Sequence, residues 1–233
     1  MKVIHIKEPK RKTYSLQFDH KGTLIVKTDT TYFSRQLDRI LDKHRDWILK
    51  QFNKIKAEVV VFNRNFLAEG EIYNILGNQY TLKYIQKDNF DLALQIELTE
   101  KQIRIITKTN SRISKKIIKE ELIEFFRDFA RDYITKRVKY YTKKCDLKFN
   151  KIFIRNQKSK WGSCSSAGNL NFNWHLIFAP KDIIDYVIVH EVCHLKHMNH
   201  SKKFWDYVSE NCKDVERKKK WLQNNEKLIR ILG

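Results

Sequence analysis

The stretch His190-Glu191-Val192-Cys193-His194-Leu195-Lys196-His197-Met198-Asn199-His200 holds four of the chain's eight histidines within eleven residues. His190 and His194 are four apart. On a helix that spacing sets both imidazoles on one face, about one turn apart, where they can share one ion. Glu191 is offset around the helix and can address a water on that ion without being a ligand. Zinc held by three protein ligands keeps one position for water and lowers that water's pKa to about 7. Glu191 can then take the proton and pass it to a leaving group. Two surface histidines and a glutamate would spell the same motif. Here, however, Ile183, Ile184, Val187, Ile188, Val192 and Leu195 make the helix apolar on much of its circumference. His190 and Glu191 are therefore expected to be partly buried, and buried polar groups need a partner, which a metal supplies.

The third ligand has more than one candidate. His197 stays near the same face if the helix runs on, but three ligands in line along a helix wrap a tetrahedral ion poorly. If the chain turns after His197, His200 can return from another side, and Asn199 tolerates the left-handed backbone that such turns often use. Tetrahedral geometry thus favours His200, with Asp206 and Glu210 as the nearest carboxylate alternatives. His197 is then expected at the rim or orienting a neighbouring group. Cys193 occupies a variable position of the motif and is expected to pack in the helix core.

The elements that must position these residues form an α+β chain. Residues 3–6 and 13–28 read as strands, the latter turning at Asp19-His20-Lys21-Gly22. A helix is expected from Ser34, a plausible N-cap, with Leu37, Ile40, Leu41, Trp47, Ile48, Phe52 and Ile55 on its apolar face. Short strands are expected between Phe66 and Thr107. From Ile113 to Tyr141 apolar residues recur at helical spacing, the strongest helix pattern in the sequence. Residues 151–155 read as a strand and the polar run 156–169 as loop or hairpin. In the alternation from Leu170 to Leu176, Leu170, Phe172, Trp174 and Leu176 are expected on one side and Asn171, Asn173 and His175 on the other. Helices are expected after Pro180, after Ser201 and over 215–231. Composition shifts near residue 108, which divides a β-rich N-terminal lobe with one helix (1–108) from a second half (109–233). Two lobes sharing an interface and two separate domains both fit.

The length of 233 residues allows a sizeable core, and 42% hydrophobic residues argue against disorder. Cys145, Cys164, Cys193 and Cys212 form no CxxC pair, which speaks against a disulfide framework or an all-cysteine zinc site and for a reducing interior. The N-terminus lacks an apolar signal region, and no run of about 18 apolar residues occurs. A cytoplasmic protein without a membrane span is the expectation. The net charge of +20 attracts polyanions, but no base-reading motif accompanies it, so weak, non-specific nucleic-acid binding is the most it implies.

Three segments together, Lys158-Ser159-Lys160-Trp161-Gly162-Ser163-Cys164-Ser165, Asn169-Leu170-Asn171-Phe172-Asn173-Trp174, and His190 to His200 with Phe204-Trp205, closely resemble the YgjP-like metallopeptidase family, with a more distant likeness to SprT-like and WLM-type zincins. The resemblance is strong over about residues 110–210 and looser before them. It implies a zincin-like catalytic domain in which one helix carries HExxH and a small sheet offers its edge strand across the cleft. It also implies Zn2+ held by His190, His194 and His200, Glu191 as the catalytic residue, and a peptide or protein substrate. His197 stands where metzincins have glycine.

Around this centre, Asn171, Asn173 and His175 are candidates to bind a substrate backbone, since extended peptides dock by adding to a sheet edge. Arg155, Lys158 and Lys160 could bind an oxyanion or an anionic group. Trp161 and Trp174 read as core. A zinc metallopeptidase is the leading reading. A metal-dependent nucleotide phosphohydrolase is an alternative that charge makes credible, although no second cluster of Asp and Glu stands near His190. A peptidase recruited to nucleic acid by its basic surface is another. A purely structural zinc site would have no use for Glu191.

Overall fold

A computed structural model describes residues 2–19, 23–52, 65–157 and 160–229, with the side chains of 226–229 left aside. The chain divides into two compact units, Met1–Arg64 and Asn65–Gly233.

In the first unit β1 (Val3–Lys7) pairs in parallel with β3 (Leu24–Thr28), and β2 (Ser15–Phe18) pairs antiparallel on its other side. Alternation along β3 buries Leu24 and Val26, which meet Ile48 in a small core flanked by Leu16, Phe18, Leu37 and Leu41. Of the expected turn, His20, Lys21 and Gly22 lie outside the described residues, as does Ile55 of the expected helix. That helix is interrupted. Helix α1 (Ser34–Lys43) stops at His44, and helical backbone resumes over 45–52. Ser34 is already helical and Phe33 holds the N-cap position.

The second unit contains two sheets. One has the order β4 (Ile72–Ile75), β5 (Asn78–Lys87), β7 (Gln102–Lys108), β6 (Leu94–Leu98). The other has β10 (Leu170–Asn173) at its centre, parallel to β8 (Ile152–Arg155) and antiparallel to β9 (Gly162–Cys164), so that β9 is an edge strand. The long helix α2 (Lys115–Lys144) is capped by Ser114, whose Oγ accepts from the Ile117 amide at 3.3 Å. It buries Ile118, Leu122, Phe126, Ala130, Ile134, Val138 and Thr142, one residue per turn. It stops where Asp146 takes φ +50°, with the Leu147 amide returning to the Thr142 carbonyl. Phe126 packs against both Tyr73 and Phe178. The first sheet therefore shares one core with α2 and with the elements C-terminal to that helix. The compact unit begins at Asn65, whereas composition changes near residue 108, where the sheet gives way to the helix and the buried surface runs across both.

Three more helices complete the unit: α3 (Lys181–Cys193), α4 (Lys202–Asn211) and α5 (Val215–Ile229). Almost every residue of α3 from Ile183 onward is buried. Arg137 of α2 donates from Nε and Nη2 to the Asp185 carboxylate at 2.7 and 2.8 Å, tying α3 to α2. The class is α+β, as expected. No helix among the described residues is long and apolar enough to cross a membrane.

Candidate metal centre

Helix α3 carries His190 and Glu191 in its last turn and ends at Cys193, with His194 as C-cap. The chain then turns tightly: the Leu195 amide donates to the Val192 carbonyl, and the Lys196 and His197 amides donate to that of Cys193. The turn returns His200 to the helix. His200 Nε2 lies 3.1 Å from His190 Nε2 and 3.2 Å from His194 Nε2. Zn–N bonds of 2.0–2.1 Å in a tetrahedral site imply a ligand separation of about 3.3 Å, which both His200 distances match, and all three nitrogens lie within 4.8 Å of one another. Among the described residues this is the one group of three or more His, Cys, Asp or Glu side chains with metal-ligand geometry. Asp206 and Glu210, the carboxylate alternatives, are not part of it. Asn199 is not left-handed; the chain reverses without that device.

Neighbouring groups hold the rings. His194 Nδ1 donates to the His197 carbonyl at 3.0 Å, which leaves the Nε2 lone pair facing the cluster. His197 thus acts through its backbone, and its ring meets Tyr207 instead. Phe204 stacks on His194 and Trp205 on His200. Both aromatic residues sit in the first turn of α4, directly after the N-cap Ser201. Burial and the neighbouring cations, His194 first, push the His190 imidazolium down to about 3, so the ring is neutral and able to ligate at ordinary pH. Cys193 is buried in the core.

Glu191 is 5% exposed. Burial pushes its carboxyl up to about 8, against a smaller pull from Lys160. The carboxyl lies beside the edge strand β9. A Cβ on Gly162 would stand 2.6 Å from Glu191 Cγ and 2.8 Å from Oε1, so only glycine lets the strand approach this closely. Gly162→Ala is expected to keep the fold and the three histidines, displace the carboxylate and lower hydrolysis by about 10²-fold, measured as kcat/KM beside metal content. Unchanged turnover would mean that the carboxylate does not need its present place.

A second expectation concerns protein stripped of metal. A carboxyl with a folded pKa of about 8 against an ordinary value of 4.5 is favourable to folding below pH 4.5, and that contribution is lost as pH rises toward 8. Glu191→Gln should therefore raise the stability of the chelated protein at pH 8, on the order of a few kcal/mol, and change it little near pH 4.5. Equal shifts of melting temperature at both pH values would contradict this.

Several expected positions are corrected. Strand β10 ends at Asn173, and residues 174–178 form a 3-10 turn with Trp174, His175 and Leu176 all buried. Asn173 is fully buried: its Oδ1 accepts from the His175 amide, and its Nδ2 donates to the Gln157 and Lys160 carbonyls. Asn171 is on the same strand, whose two edges are taken by β8 and β9. The free edge of this sheet, to which an extended peptide could add, is therefore not on β10. That edge belongs to β9, where the sequence suggested loop or hairpin. In an antiparallel ladder the groups of alternate residues point outward. With Asn173 N bonded to Trp161 O, the outward groups are those of Gly162 and Cys164. Trp161, expected in the core, is partly exposed and lines a cleft beside Glu191 together with Lys160. Arg155 lies over the Phe153 ring. Lys158 lies outside the described residues. Gly162, Tyr186, Leu222 and Lys219 were not singled out from the sequence; only Gly162 carried a signal, as a lone glycine that can mark close backbone approach.

A buried helix with two histidines and a glutamate, a third histidine returned by a turn, and an open strand edge beside the carboxylate define a metallopeptidase-type catalytic domain. The chain belongs to the YgjP-like metallopeptidase-domain family, whose sequence profile matches residues 12–225 and so spans both units. No curated protein gives a significant match. Among solved structures, the metallopeptidase zymogen abylysin of Pyrococcus abyssi aligns at 21% identity over 42% of this chain and 97% of its own, with TM-score 0.36. The zymogen jannalysin of Methanocaldococcus jannaschii aligns at 24% over 41% and 96%, with TM-score 0.35.

Proposed function

We propose that this chain is a zinc peptidase in which His190, His194 and His200 hold the metal and Glu191 is the general base. The observation that carries the reading is the convergence of three imidazole nitrogens, with His200 Nε2 at 3.1 and 3.2 Å from the others, next to a buried carboxyl and an open strand edge. When bound, zinc supplies the Lewis acidity that makes water nucleophilic at neutral pH. Glu191, buried beside the three histidines, is placed to accept a proton from the attacking water and return it to the leaving amine. The outward backbone groups of Gly162 and Cys164 suit an extended peptide laid along β9. One metal and one base suffice for peptide hydrolysis, and a second metal cluster of the kind many phosphohydrolases use is absent among the described residues. The test is a peptide-library digest with the zinc-loaded protein. Cleavage that stops on chelation and returns with zinc is expected; none after zinc loading would sink the reading. Four free cysteines suit a reducing, cytoplasmic setting.

The charge of +20 motivates one further expectation, recruitment to nucleic acid. Binding to duplex DNA should be measurable at low salt and fall steeply with log salt, by roughly 0.9 per phosphate neutralised, with little sequence preference. No binding at low salt removes the recruitment reading.

A further inference from the structure

Next to the histidines lies a cleft of about 220 Å³. His190 and Glu191 form one wall, so whatever fills it sits beside the reacting atoms. Its floor is apolar: Trp161 from just before β9, Val187 from one turn earlier on α3, and Leu222 from α5. Two hydrogen-bond donors complete it. Lys160 is exposed and makes no ion pair among the described residues; the carboxyl it acts on is Glu191. Tyr186 is only 6% exposed, packs edge-on against His190, and its hydroxyl has no hydrogen-bond partner among the described residues. Burial pushes that phenol up to about 12, with a smaller contribution from the exposed Glu216, so it remains a donor at neutral pH. Outside the cleft lining, Lys219 stands 5.4 Å over the Trp205 ring, which stacks on His200.

Apolar walls beside Lys160 call for a side chain with an aliphatic stem and a negatively charged acceptor end. A basic side chain would meet Lys160 as a like charge. An apolar one would leave the Lys160 ammonium without an acceptor. We propose that this cleft is the specificity subsite flanking the scissile bond and that it selects an acidic side chain, glutamate above all, making acidic peptide segments the substrates. The inference rests on the peptidase reading above.

The test has two arms. In the first, zinc-loaded wild type digests a peptide library and the cut sites are sequenced. Glutamate should be enriched about tenfold over lysine at one position adjoining the cut. Lys160→Glu should lower kcat/KM for that glutamate peptide by about tenfold or more and reverse the ratio toward lysine. Lys160→Arg should retain the preference, and Tyr186→Phe, which alters the same wall, should weaken it. Lys160 is exposed, so its variants are expected to fold, and metal content checks that they do. In the second arm, zinc-loaded Glu191→Gln is titrated with labelled peptides bearing Glu, Gln or Lys at that position, which reads selection without turnover; the Kd should rise in that order. Cleavage with no acidic preference, or a ratio unmoved by Lys160→Glu, overturns this inference and leaves the peptidase reading standing. No cleavage by zinc-loaded wild type overturns both.

Discussion

Glu191→Gln is expected to keep zinc at its full content and lose peptide hydrolysis by several orders of magnitude. Glutamine has nearly the same shape and can occupy the same place beside Gly162, where the clearance leaves no room even for a methyl group. What it lacks is a basic oxygen. Loss of a positioned general base alone costs about 10²–10⁴-fold. The loss here should be at the upper end or beyond, because no other carboxylate shares the metal-side wall of the cleft to take over the proton. The measurement is kcat on a peptide cleaved by wild type, with metal content determined on the same samples. Turnover within a factor of a few of wild type would remove Glu191 from the chemistry even if the metal site stands.

The second large effect concerns the metal. His190→Ala and His194→Ala should each abolish stoichiometric zinc, and His200→Ala should weaken it far more than His197→Ala. The His197 ring stands against Tyr207, and its contribution to the centre is the backbone carbonyl that receives His194 Nδ1. Alanine keeps that carbonyl. His200 brings a nitrogen from off the axis of α3, which a tetrahedral ion requires. Because metal binding is coupled to folding, loss of a ligand should also lower the melting temperature of the zinc-loaded protein toward that of the stripped one. Competition with a chelator of known affinity measures the order. A greater loss from His197→Ala than from His200→Ala would reassign the third position, and full zinc retention in a His190→Ala, His194→Ala double variant would end the site assignment.

Much of this was legible in the order of the residues. The pairing of His190 with His194 and the offset of Glu191 arise from 3.6 residues per turn, a property of the backbone itself. So do the burial stripe of α2 and the inward face of α3, because each is periodic over several turns. The motif segments were specific enough to indicate the family. Other expectations went astray where distant parts of the chain decide. Alternation alone would have carried β10 through to Leu176. Instead Asn173 caps a 3-10 turn and holds the loop carbonyls of Gln157 and Lys160 with its amide, a use of its side chain that depends on residues more than ten positions away. Period-two patterning likewise cannot say which strand is an edge. β9 is an edge because β8 and β10 pair with each other, so the free backbone edge of this sheet is that of Gly162 and Cys164 and not of Asn171 and Asn173.

The sequence by itself determined the local half of the centre: an apolar helix bearing HExxH, a second histidine pair close enough in sequence to supply another ligand, and the α+β order of elements around them. These are consequences of short-range periodicity. Only the tertiary structure decided that His200, rather than His197, meets the other two nitrogens, that the first sheet belongs with α2 in one unit from Asn65 onward, and that Trp161, Tyr186, Val187 and Leu222 share a cleft with Glu191. Those outcomes depend on the path of a turn and on which buried surfaces meet across long separations in sequence. Packing sets them, and no local pattern carries that information.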